Sequence, residues 1–108
     1  MVYFSDMNTF EKVYDLVALV PKGKVTTYGA LAEYIGIDPR VVGFALHANK
    51  DTNTVPCHRV INSKGRISSG YAFGGPSIQK GMLKKEGVKF NESDKVDLNK
   101  FGYFLFKT

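Results

Sequence analysis

Between two runs of helix-forming residues the chain reads Gly36-Ile37-Asp38-Pro39, a helix stop followed at once by a helix start. Glycine closes a helix because it accepts the left-handed conformation of the residue past its end. An acidic cap with proline at the first helical position opens the next one. This punctuation leaves room only for two short helices joined by a tight turn. Thr26 or Thr27 caps the first, Tyr28 to Tyr34, and the second runs from Pro39 to about Asn49. Two helices so joined form a helix-turn-helix, whose second member enters a DNA groove. Upstream, Asn8-Thr9-Phe10-Glu11 reads as a capping box. Phe10, Val13, Tyr14, Leu16, Val17 and Val20 follow at helical spacing until Pro21-Lys22-Gly23-Lys24 turns the chain.

On the helix from Pro39, Val42, Ala45, Leu46 and Asn49 share one face and read as core. Arg40, Gly43, His47 and Lys50 share the other. A glycine there would let a nucleic-acid backbone approach closely; alternatively it is a tolerated helix glycine. Further on, Asn62-Ser63-Lys64-Gly65 reads as a hairpin turn between Val60-Ile61 and Arg66-Ile67, a basic-tipped wing. Ser68 to Gly75 is a glycine-rich loop with Tyr71 and Phe73. Pro76 starts a fourth helix that ends at Glu86-Gly87. Val88-Lys89-Phe90 and Lys95-Val96-Asp97-Leu98 read as a short hairpin, and the aromatic tail from Phe101 to Phe106 packs on the core. The expected fold class is mainly α with small β elements, a winged helix-turn-helix-like DNA-binding domain occupying residues 1–108 as one unit.

Charge points the same way. Of the net +5, eight basic residues fall between Arg40 and Lys85, with Asp51 the only acid among them. A one-sided basic field is the footprint of a polyanion binder, although a solubilising surface gives the same count. No apolar run is long enough to cross a bilayer, and the N-terminus lacks the pattern of a secretory signal. The expected location is therefore intracellular, in a reducing compartment.

The chemistry centres on the only cysteine, in Val55-Pro56-Cys57-His58-Arg59-Val60-Ile61. A lone thiol cannot form an intramolecular disulfide, so Cys57 is either buried filler or a reagent. A histidine and an arginine alongside favour a thiolate nucleophile. On an extended segment Cys57 and His58 would point to opposite faces, so a water would bridge them. One cysteine and two histidines are too few for a closed zinc site, and no metal or cofactor is expected.

Pro56-Cys57-His58-Arg59-Val60, preceded by Gly23-Lys24-Val25-Thr26-Thr27-Tyr28-Gly29 and Arg40-Val41-Val42-Gly43, resembles the O6-alkylguanine-DNA alkyltransferases, the methylated-DNA–protein-cysteine methyltransferases. The match covers about Phe10 to Gly87, the DNA-binding and active-site domain of that family. The resemblance implies that Cys57 accepts the alkyl group, that His58 is its base through a water, and that Glu86 orients the histidine. It makes Asn49 the brace of the turn carrying the cysteine. Tyr28 helps swing out the damaged nucleotide, and Arg40 fills the base stack in its place. Tyr71 and the Gly74-Gly75 backbone form the lesion-pocket lid. Gly43, His47, Lys50, Arg59 and Lys64 join Arg40 and Tyr71 on the DNA face. The implied partner is double-stranded DNA containing O6-alkylguanine, met by a monomer. The cysteine would be consumed in one turnover, because a methyl thioether has no good leaving group.

Two departures from the family stand out. Its typical members carry an N-terminal α/β domain that this sequence lacks. The small alkyltransferase-like proteins have this size but replace the cysteine, and they bind the lesion and flag it without removing the alkyl group. Here the cysteine is retained. A winged-helix regulator with an inert or redox-sensing Cys57 is the reading from a different class.

Overall fold

The computed structural model describes residues 8–67, 71, 73–104 and 106. The N-terminal stretch expected to lack a signal and residues 68–70 and 72 of the glycine-rich loop lie outside the described residues, as do positions 105, 107 and 108 of the C-terminal tail. Among the described residues, five α-helices and a two-stranded parallel sheet follow in the order α1 (Thr9–Val17), β1 (Thr26–Thr27), α2 (Tyr28–Ile35), α3 (Pro39–His47), β2 (Val60–Ile61), α4 (Gly75–Lys85) and α5 (Leu98–Phe101). A 3₁₀ turn, Cys57–Arg59, leads directly into β2.

Helix starts fall where the short polar side chains put them. Asn8 accepts the Glu11 amide and also donates to the Glu11 carboxylate. Thr27 Oγ1 accepts the Ala30 amide, and Asp38 accepts that of Arg40. Each satisfies an amide that the first turn cannot bond internally. Gly36 ends α2 at φ +86°, the conformation the sequence required of it. Two ends differ from expectation. Helix α1 stops at Val17; the Ala18 amide still reaches Tyr14, and then Leu19 and Val20 tighten into i to i−3 bonds that bring buried Val20 onto the core. Helix α3 stops at His47, so Asn49 and Lys50 lie beyond it.

Val13, Leu16, Val17, Leu31, Val42, Ala45, Leu46 and Val60 form the larger core, and Cys57 is part of it. Val25, Ile61, Leu83, Val88 and Val96 form a smaller second cluster. Helices α2 and α3, separated by residues 36–38, are the helix-turn-helix pair and close one side of the larger core.

The expected wing needs correction. Val60 and Ile61 pair in parallel with Thr26 and Thr27, not with Arg66 and Ile67. The Asn62 amide donates to the Arg66 carbonyl, but the return amide of Arg66, with that of Lys64, goes to Asn62 Oδ1, so no strand ladder forms behind this turn. Its tip is docked: the Val96 amide donates to the Gly65 carbonyl, and a β-carbon at Gly65 would lie 2.5 Å from the Val96 carbonyl oxygen. The second hairpin shrinks to one antiparallel bridge, Phe90 with Val96. There Asp97 leaves the ladder to cap α5, accepting the Asn99 amide. Of the tail, Phe106 is buried in the larger core whereas Phe104 is exposed.

Candidate active site and nucleic-acid face

The turn that carries Cys57 is held from three directions. Asn49 is buried, accepts the Asp51 amide and donates to the Val55 carbonyl, so its amide group clamps the loop ahead of the cysteine. Gln79 of α4, 1% exposed, donates to the carbonyls of His58 and Val60 on the other side of it. The backbone itself closes the 3₁₀ turn, with the Arg59 amide donating to the Pro56 carbonyl. The segment is thus helical where an extended run was expected.

Behind the turn, Glu86 gathers the two residues that follow the cysteine. His58 Nε2 lies 3.0 Å from Glu86 Oε2. Arg59 Nε and an amino group reach the same carboxylate at 3.0 and 2.7 Å, and its other amino group donates to the Val20 carbonyl. Burial pushes the Glu86 carboxyl up, but the hydrogen bonds from Arg59 and His58 outweigh it and hold it below the usual glutamate range. An ionised carboxylate only accepts, so His58 Nε2 carries the hydrogen. In the neutral imidazole Nδ1 is then the lone-pair nitrogen, and it is buried with no protein hydrogen bond. That orientation is what a base needs.

Cys57 is 3% exposed. Burial pushes its thiol up, against hydrogen bonds from the Asn49 side chain, its own backbone, Tyr71 and the His58 backbone. The resting group is a thiol, which corrects the expectation of a low-pKa thiolate: desolvation outweighs the dipoles aimed at the sulfur. Two tyrosines flank it. Burial and the neighbouring sulfur push Tyr71 up to about 12, and its hydroxyl also contacts Met82 Sδ at 3.5 Å. Tyr14, whose hydroxyl donates to the Ala45 carbonyl, is raised by burial and then by Cys57. Tyr28 packs half-buried on the core that contains Cys57.

The residues expected to meet DNA divide into two groups. Arg40, His47, Lys50 and Lys64 are exposed and Gly43 lies between the first two on α3. Arg40 is held on the surface by Asp38, at 3.2 and 2.9 Å from its guanidinium. The hydrogen bonds from Arg40 lower the Asp38 carboxyl to about 2. Arg59 does not belong with them: its side chain is 16% exposed and fully engaged with Glu86 and Val20. Sequence reasoning missed that role, and it missed Gln79 and Tyr14. Gln79, Leu83 and Glu86 recur at four and three residues, an inward stripe that could have revealed the glutamine.

Residues 8–88 match the family model described as the DNA binding domain of 6-O-methylguanine DNA methyltransferase. Alkyltransferase-like protein 1 of Schizosaccharomyces pombe is 45% identical over 87 residues, 78% of this chain and 80% of that protein. The methylated-DNA–protein-cysteine methyltransferase of Saccharolobus solfataricus is 41% identical over 80 residues, 74% of this chain but 51% of that enzyme, so the chain spans about half its length. Among solved structures, the S. pombe alkyltransferase-like protein in complex with damaged DNA containing O6-carboxymethylguanine matches with a TM-score of 0.75 at 37% identity. That match covers 90% of this chain and 98% of the other.

Proposed function

The chain belongs to the 6-O-methylguanine DNA methyltransferase family, and from that premise we propose that it takes the alkyl group of O6-alkylguanine in duplex DNA onto Cys57, once per molecule. The observation that carries this reading is the retained thiol itself, on a turn clamped by Asn49 and Gln79 and followed by a histidine whose Nε2 is engaged by Glu86.

The target oxygen is hidden in the stacked duplex, so the nucleotide must first be extruded, at a cost of a few kcal/mol. Arg40, exposed on α3, fills the vacated stack, and Tyr28 assists extrusion and hydrogen-bonds the base. The thiol proton passes to His58 Nδ1 through a water, and Glu86 stabilises the imidazolium. The thiolate attacks the alkyl carbon in line. A sulfur–carbon bond forms, the carbon–O6 bond breaks with its electrons going to guanine, and guanine takes up a proton. Overall the thiol exchanges its proton for the alkyl group. The resulting thioether cannot be displaced, so the protein is spent.

A second reading, lesion binding without transfer, is favoured by the 45% identity to an alkyltransferase-like protein over 80% of its length. Mass spectrometry after mixing with O6-methylguanine duplex separates the two. The tryptic peptide Asp51 to Arg59 gains one methyl on Cys57, with at most one per chain, if transfer occurs. Tight binding with no mass gain supports the second reading.

A further inference from the structure

Phe44 is the most exposed large apolar side chain among the described residues, at 64%. It lies in α3 one turn after Arg40 and three residues before His47, so the three share the solvent face of one helix. Gly43, next to it, is disfavoured mid-helix, yet a β-carbon built there would meet nothing within 4 Å. Neither residue improves the packing of the folded chain. A bare backbone and an outward aromatic ring, set side by side between two basic groups, suit something arriving from outside.

The surrounding charge selects the occupant. A protein partner offering an apolar patch would have to cover Arg40 and its pair with Asp38. A duplex instead offers phosphates to the cations and base faces to the ring. Proteins that bind the minor groove wedge phenylalanine into base steps, and base–aromatic stacking tolerates any sequence because every base has a π-face. We propose that Phe44 is a DNA wedge: its ring stacks on a base at the step opened beside the extruded nucleotide, next to the gap that Arg40 fills. The proposal rests on the functional reading above and adds a positioning residue to it.

The test compares wild type with Phe44→Ala and Phe44→Trp by fluorescence anisotropy. The duplex carries O6-methylguanine, with 2-aminopurine one step away reporting unstacking. Phe44→Ala weakens binding to the lesion duplex about tenfold, dims the unstacking signal and leaves the salt slope unchanged, since no charge is lost. Phe44→Trp retains both affinity and signal. Equal affinity and equal fluorescence in wild type and Phe44→Ala overturn the proposal, as does a wild-type dimer that Phe44→Ala makes monomeric. If wild type binds damaged and plain duplex alike, the functional reading fails separately, and the Phe44→Ala comparison on plain duplex still decides the role of the ring.

Discussion

Replacing Glu86 by glutamine tests whether this carboxylate holds the site together. Three donors converge on it, one from His58 and two from Arg59. An amide of the same shape keeps one acceptor oxygen and turns the other into a donor that faces cationic or donor groups. Removing one partner of a buried ion pair costs about 3–5 kcal/mol. The side chains of Arg59 and Glu86 keep 16% and 12% exposure, which admits some solvent screening. The surviving oxygen also keeps one bond, so a loss of about 2–3 kcal/mol is expected. For a domain of this size that lowers Tm by roughly 10 °C, read by circular dichroism at pH 7. The pH dependence has a definite sign. Glu86 titrates lower folded than unfolded, so its contribution is full above the ordinary glutamate value of about 4.3. It is lost as pH falls through the folded value. Wild type and Glu86→Gln should therefore converge on acidification. In an Arg59→Met background the glutamine change should cost far less, because no guanidinium is left unpaired. A Tm within about 2 °C of wild type at pH 7, or an undiminished cost in the Arg59→Met background, would refute the reasoning.

Three further outcomes follow from the same geometry. Cys57 should react with iodoacetamide at pH 8 more slowly than free cysteine, because burial raises its thiol; faster labelling would mean that the sulfur is a resting thiolate. Gln79→Leu strands the His58 and Val60 carbonyls and should cost about 1–3 kcal/mol in urea unfolding, with neutral substitution showing that water replaces the amide. Asp38→Asn keeps an N-cap but removes the carboxylate that holds Arg40. On the proposed function it should tighten DNA binding severalfold at low salt, an effect that fades as salt rises.

The parts legible in the sequence were those decided within four residues. Asn8, Thr27, Gly36 and Asp38 act on their own helix ends, and each end begins or stops where its side chain or backbone freedom dictates. The parallel pairing of Thr26-Thr27 with Val60-Ile61 was not legible, since two residues show no periodicity and their partner lies 34 positions away. The hairpin reading failed at Asn62 for a local reason: the side chain that promotes the turn also takes the Arg66 amide, which a returning strand would have given to the Asn62 carbonyl. Arg59 looked like a surface cation because nothing near it in sequence marks Glu86, 27 residues on, as its partner. The motif brought Cys57, His58, Glu86 and Asn49 together correctly as neighbours, but it gave no sign that burial would dominate the electrostatics of the thiol.

That last difference bears on how a single-use acceptor would work. A permanent thiolate would react with any electrophile that reached it, and here every such reaction would destroy a molecule of protein. A thiol pushed up by burial reacts with little until a base takes its proton. On the proposed function the base is already in place, with Nδ1 unengaged by any protein group and its far nitrogen held by an ionised carboxylate. Proton transfer then depends on the extruded base completing the site. Rate should therefore follow occupancy of the pocket rather than thiolate population in the free protein. The pH profile of transfer measured under saturating lesion DNA should be shallower than the pH profile of iodoacetamide labelling. Superimposable profiles would mean that the free thiol, not the assembled site, governs reactivity.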